Sequence, residues 1–94
     1  MWRVLISKTA DKELKKAPQE ARDSFDAWKN VAEQNGPIGI KVINGYWDHA
    51  LKGEWEGARA SSLNKHWRVI YVVNGQEIRI MVLTVTPHDY RRKK

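Results

Sequence analysis

The sequence predicts an α+β domain in which two N-terminal helices pack on a small, mostly antiparallel, twisted β-sheet. Three observations carry that expectation. Apolar residues recur at helical spacing early in the chain, where Ala10, Leu14 and Ala17, and then Ala21, Phe25, Trp28 and Ala32, each mark one face. The second half instead holds short runs rich in Val, Ile, Thr and Tyr, the composition of strands. Between two of those runs stands Asn74-Gly75, the strongest short hairpin signal a sequence offers. With 94 residues and no linker, repeat or low-complexity tract, the chain reads as one domain, residues 1–94, with a modest core.

Residues 2–7, WRVLIS, read as a short strand with little solvent exposure. Thr9 is suited to cap a helix that begins at Ala10, and Pro18 breaks or restarts it. Lys8, Lys12, Lys15 and Lys16 gather opposite its apolar face. Such a stripe is ordinarily a solvated face, and contact with an RNA backbone is the functional alternative. A longer helix is expected over 18–34, with Pro18 in the first turn and Glu20 and Asp23 near its positive end. Asn35-Gly36-Pro37 should stop it, Gly36 being a natural left-handed cap. Trp28 could serve bases as a platform, but its register with Phe25 makes it a core residue.

Residues 37–57 read as irregular, with Ile38, Ile40 and Val42 tacking them to the core. Strands are expected at 58–63, 66–73 and 77–85. A two-residue type I′ turn at Asn74-Gly75 would set Val73 opposite Gln76, Val69 opposite Ile80 and Arg68 opposite Met81. Alternation then gives Trp67, Val69, Tyr71, Ile78, Ile80 and Val82 to the face that covers the helices. Arg68, Ile70, Arg79 and Met81 share the other face, which carries cations and is open to a ligand.

Charge points to the kind of ligand. Seventeen Lys and Arg against eleven Asp and Glu leave a net +6. Residues 1–56 are neutral, with nine basic and nine acidic side chains, whereas 57–94 hold eight basic residues against only Glu77 and Asp89. So concentrated a positive field attracts polyanions, and nucleic acid is the expected partner. The absence of cysteine excludes disulfides and Cys-ligated metals. No apolar run approaches the roughly 20 residues of a membrane span, and no signal-peptide pattern opens the chain. The expectation is a soluble cytoplasmic domain with no membrane partner.

The chain has three histidines, His49, His66 and His88. They would make a ligand set for Zn²⁺, but their spacings match no zinc signature, and Arg59 and Arg68 would disfavour a cation. No metal and no cofactor is therefore expected. Imidazoles beside arginines suit a phosphodiester better. Metal-free RNA cleavage must deprotonate a 2′-hydroxyl, stabilise the phosphorane and protonate the leaving 5′-oxygen. An unperturbed histidine titrates near pH ~6.5 and can act as base or acid. Arginine offers a permanently charged fork to phosphate oxygens. Arg68 lies within the apolar run WRVIYVV, where strand stability does not require it.

Residues 49–53 (HALKG), 55–57 (WEG) with Arg59, 66–71 (HWRVIY) and 87–90 (PHDY) together resemble the small toxins of the RelE superfamily of type II toxin–antitoxin systems. The YafQ- and HigB-like branches are the most similar. The likeness spans nearly the whole chain in length and element order, and its specific part lies in 48–90. It implies a RelE-like fold and a ribosome-dependent endoribonuclease that leaves a 2′,3′-cyclic phosphate and a 5′-hydroxyl. Carried over residue by residue, it implies catalytic roles for His49, Arg68, His88 and Tyr90 and an RNA contact by Arg59. His66 stands where YafQ has an acidic residue and is taken as catalytic beside the other two histidines, and Lys52, Arg79, Arg91 and Arg92 are expected to add RNA contacts. Ser61 and Ser62 depart from the pattern, standing where other members place a lysine or histidine. Which histidine is the base stays open. The implied partners are a cognate antitoxin, and the ribosomal A site with its mRNA. ParE-like toxins, which bind DNA gyrase and cut no RNA, share the fold, so the fold alone does not choose. The histidine set with His88-Asp89-Tyr90 favours the nuclease.

Overall fold

A computed structural model describes residues 1–87. In chain order it contains β1 (Arg3–Ile6), α1 (Lys8–Lys16), α2 (Gln19–Lys41), β2 (His49–Ala50), β3 (Arg59–Ser62), β4 (Arg68–Asn74) and β5 (Arg79–Thr86). The strands form one five-stranded sheet in the order β1-β5-β4-β3-β2. β1 runs parallel to β5, and every other pairing is antiparallel. Two N-terminal helices on a mostly antiparallel sheet is the architecture expected from the sequence.

The main core lies between helices and sheet. Ala10, Phe25, Trp28, Ala32 and Ile40 from the helices meet Val69, Tyr71, Ile80, Val82 and Val85 from β4 and β5. Trp28 stacks on Phe25 at 5.7 Å between ring centroids and meets Tyr71 edge-on at 5.1 Å, geometries that aromatic pairs favour. Its apolar surroundings confirm it as a core residue.

Ser7 caps α1, rather than Thr9. Its Oγ accepts from the Ala10 N–H at 3.0 Å and donates to the Leu83 carbonyl at 2.8 Å. The cap that also ties the helix to β5 prevails, and the helix starts at Lys8. Ala10 and Ala17 are buried as expected, while Lys8, Lys12, Lys15 and Lys16 are exposed. On the same helix, Glu13 accepts from Thr84 Oγ1 at 2.7 Å and from the Val85 N–H at 2.8 Å. It thereby serves β5 beyond Val82, where pairing with β1 ends.

α2 does not end at Asn35-Gly36-Pro37. Gly36 leaves helical geometry at φ 69°, and Pro37 restarts one further turn, to Lys41. Proline suits a first turn because its missing N–H would have no partner there. A Cβ at Gly36 would collide with the Trp2 indole. Because 37–41 is helical, Ile40 alone of Ile38, Ile40 and Val42 turns into the core, and the other two are exposed.

The β4–β5 hairpin departs from the expected register. Asn74 pairs with Arg79, Val73 with Ile80 and Arg68 with Thr86, so 75–78 form the connection. Asn74 Oδ1 accepts from the Glu77 N–H at 3.1 Å and closes this longer loop. Leu83 is an extra residue on β5, since Tyr71 faces Val82 and Ile70 faces Thr84. This bulge reverses the alternation, which lets Val85 join Ile80 and Val82 in the core. Trp67, Val69, Tyr71, Ile80 and Val82 all pack on the helix side as expected. Ile78 does not; it sits in the loop at φ 54°, 47% exposed. The opposite face is not open along its length either. Ile70 packs there with Leu51, Ala58 and Ala60, flanked by Trp55, Val72 and Leu83.

Candidate active site

Where β3 ends and β4 begins, a cleft of about 770 Å³ opens against the segment before β2. Its lining includes Trp47, His49, Ser62, Asn64, Lys65 and Arg68. What fixes one wall is Asp48, whose side chain is wholly buried. Arg59 donates to Asp48 Oδ2 through Nε and Nη2, each at 2.8 Å. Ser61 Oγ donates to Oδ1 at 2.9 Å, and the Tyr71 hydroxyl donates to the same oxygen. Trp28 Nε1 in turn donates to Ser61 Oγ at 3.1 Å. A buried carboxylate is tolerable only with such partners. The network therefore pins Trp47, Asp48 and His49 onto β3 and β4.

The same network sets the protonation of its members. Burial, and then the hydrogen bond to Asp48, raise the Tyr71 hydroxyl above its ordinary range, so it stays a donor. Burial opposes the charge on Arg59, but the hydrogen bond and charge of Asp48 outweigh it, and its pKa rises.

His49 begins β2 and is exposed. Its Nδ1 lies 2.7 Å from the Trp47 carbonyl. A carbonyl can only accept, so in the neutral ring Nδ1 carries the proton and Nε2 is the basic nitrogen. Arg68 lines the same cleft from a different support. Asn64 Oδ1 accepts from the N–H groups of His66 and Trp67, both at 2.9 Å, a side-chain turn that shapes the loop before β4. The carbonyls of that loop receive Arg68 Nη1, from Asn64 at 3.4 Å and from Trp67 at 3.3 Å. These long contacts orient the guanidinium without neutralising it. Neither Arg68 nor Lys65 has an acidic partner among the described residues. One cleft thus combines a basic imidazole nitrogen with two cations, a set able to deprotonate a hydroxyl beside a bound phosphate.

Of the residues singled out from sequence, His49 and Arg68 come together here. His66 is exposed on the loop next to Lys65 but does not line the cleft, and Lys52 is exposed beyond β2. Arg59 is half-buried, with its fork on Asp48. Arg79 pairs with Glu77 and lines a separate hollow with Leu5, Val72 and Met81. It lies at the other end of β4, roughly 20 Å from Arg68 at about 3.3 Å per residue. His88, Tyr90, Arg91 and Arg92 lie outside the described residues. Sequence reasoning passed over Trp47, Asp48, Asn64 and Lys65. The available signals were an Asp directly before a motif histidine, and an Asn four residues before the start of a strand, where it can close a turn. Among the described residues no three His, Asp or Glu side chains gather into a metal site, and no helix is long and apolar enough to cross a membrane.

No family model matches the sequence, and no curated protein matches it by sequence. Solved structures do match. The YafQ toxin of E. coli superposes with a TM-score of 0.74 at 17% identity, over 92% of each chain. A chain of the archaeal RelE–RelB complex from Pyrococcus horikoshii gives 0.75 at 25% identity, over 95% of this chain and 97% of that one. The YoeB/ParE toxin of Agrobacterium tumefaciens gives 0.73 at 13% identity, over 93% and 99%. The chain is a structural match to the RelE, YafQ, YoeB and ParE toxins of type II toxin–antitoxin systems, and its fold is RelE-like.

Proposed function

We propose that this chain, built on the RelE-like toxin fold, is a ribosome-dependent mRNA endoribonuclease and the toxin of a type II toxin–antitoxin pair. The observation that carries the reading is the meeting of His49 and Arg68 in one cleft. His49 Nε2 takes the proton of a 2′-hydroxyl, and the 2′-oxygen attacks the adjacent phosphorus. Arg68 holds the non-bridging oxygens as charge builds on the phosphorane. The bond from phosphorus to the 5′-oxygen breaks, and that oxygen receives a proton, leaving a 2′,3′-cyclic phosphate and a 5′-hydroxyl. His66, His88 and Tyr90 are the candidates for the acid. No step calls on a metal.

Lys65 joins Arg68 as the positive wall of the cleft. Lys52, Arg79, Arg91 and Arg92 are left to meet messenger or ribosomal phosphates away from the scissile one. Arg59 acts on the RNA chiefly by holding Asp48, and so the wall that carries His49. The proposed setting is the A site of a translating ribosome in the cytoplasm. The proposed protein partner is an antitoxin, the RelE-like neighbour from Pyrococcus horikoshii having been crystallised in a RelE–RelB complex.

The test is single-turnover cleavage of mRNA on programmed ribosomes, with the ends of the products identified. Wild type should cut and leave a cyclic phosphate. His49→Gln should cut at least ~100-fold more slowly while still binding, since a positioned acid–base group is worth ~10²–10⁴ in rate. A wild-type chain that cuts no mRNA but inhibits DNA gyrase would replace this reading with the ParE-like one.

A further inference from the structure

Trp47 is 76% exposed, and its backbone is left-handed at φ 49°, ψ 39°. Both features oppose stability. A large apolar ring stands in water, and a side chain with a Cβ occupies a conformation better suited to Gly, Asn or Asp. Neither the core nor the local turn accounts for an indole at this position. Its location does. Trp47 lines the cleft that holds His49, Lys65 and Arg68, and it also lines a second hollow of about 590 Å³ with Lys41, Ile43 and Asn44. The indole is a ridge with cations on both sides. Asp48, the one carboxylate lining either hollow among the described residues, is buried against Arg59 and contributes no exposed negative charge.

We infer that Trp47 is a stacking platform for one base of single-stranded RNA, adjacent to the phosphate that Arg68 holds. The strand runs from Lys65 and Arg68, over the indole, toward Lys41. This rests on the nuclease reading above and adds a binding residue to it. Proteins that grip single strands combine a positive groove with an aromatic ring, because every base offers a π-face and the backbone supplies the charge. A protein partner would draw on exposed apolar neighbours instead, yet of Ile38, Val42 and Ile43 only Ile43, the least exposed of the three at 38%, lines either hollow.

The experiment uses programmed ribosomes whose mRNA carries a 2′-deoxy nucleotide at the cleavage position, mapped beforehand with wild type. Affinity is measured for wild type, Trp47→Ala and Trp47→Phe. Each is tested on intact mRNA and on mRNA lacking the base on either side of the cleavage position. Trp47→Ala should bind roughly ten- to a hundredfold more weakly, the range expected for one stacked base. Trp47→Phe should keep most of the affinity. The alanine and base-removal losses should fail to add at one of the two positions, which a merely structural role would not produce. Unfolding of Trp47→Gly, which relaxes the backbone, provides the check that position 47 is not needed for the fold. Unchanged affinity of Trp47→Ala, or losses that add fully at both positions, would overturn the platform alone. A wild type that neither binds nor cuts programmed mRNA would remove the nuclease reading and the platform with it.

Discussion

Arg68 is oriented but not neutralised. Its Nη1 reaches two carbonyls of its own loop at 3.3 and 3.4 Å, and no carboxylate among the described residues competes for its charge. Arg68→Ala should therefore leave the fold intact and remove cleavage, since a charge-assisted contact of about 1.5–3 kcal/mol or more is lost where transition-state charge develops. Arg68→Lys should recover only part of the rate, because the fork is gone while the charge remains. Full activity of a folded Arg68→Ala protein would end the assignment. Arg59, two strand positions from Ser61, has the opposite fate. Its charge is spent on Asp48, in a network that Tyr71 completes. The Tyr71 pKa is raised on folding, so the neutral hydroxyl is the stabilised form. Stability from this group is full below the unfolded value near pH ~10 and is lost as pH rises above it. Denaturant titrations should show wild type weakening above pH ~10 and Tyr71→Phe weakening less over the same range. The variant should be less stable near neutrality by about 1–3 kcal/mol, because Asp48 loses a buried donor. Equal pH dependence of the two proteins would contradict this.

Among the elements, the β4–β5 hairpin shows how far local signals reach. Asn74-Gly75 does mark the turn, yet the asparagine closes a loop over 75–78 through its side chain instead of a two-residue turn. Which strand faces are buried could be read from alternation, and the core positions Val69, Tyr71, Ile80 and Val82 follow from it. Their cross-strand partners could not, because register depends on the turn and on the Leu83 bulge. Ile78 bears the consequence, a β-branched residue left at φ 54° in the loop. Replacing it by Asn, which tolerates this region, should raise stability by about 1 kcal/mol. A fall in the unfolding midpoint of Ile78→Asn would mean that the half-exposed side chain contributes more packing than its backbone loses in strain.

For the whole molecule, charge is the property that acts at a distance. Two of the cations in 57–94 are engaged within the fold, Arg59 with Asp48 and Arg79 with Glu77. Lys65 and Arg68 keep their charge, and both line the cleft. Binding to programmed ribosomes should accordingly weaken steeply with salt, and Lys65→Ala should lower the slope of log K against log salt by about one. An unchanged slope would place Lys65 off the RNA. The exposed Lys8, Lys12, Lys15 and Lys16 of α1 offer an internal comparison. If their removal alters the slope more than Lys65→Ala does, the main RNA track lies on the helix rather than in the cleft.

The sequence by itself determined the class of fold, the two helices, every strand but β2, which fell in a stretch read as irregular, and the core stripe through Phe25 and Trp28, and it named His49 and Arg68 among ten candidate site residues without pairing them. These follow from periodicity, turn residues and motif, all of which act over a few residues. Only the tertiary structure decided which charges are available. Asp48 looks like any loop carboxylate until β3 and β4 bring Arg59, Ser61 and Tyr71 around it. Lys65 and Trp47 gain meaning only when their segments, 18 positions apart in numbering, form walls of one cleft. Burial and ion pairing depend on chain segments remote in sequence, and those contacts separate a cation that holds the fold from one that can meet a phosphate.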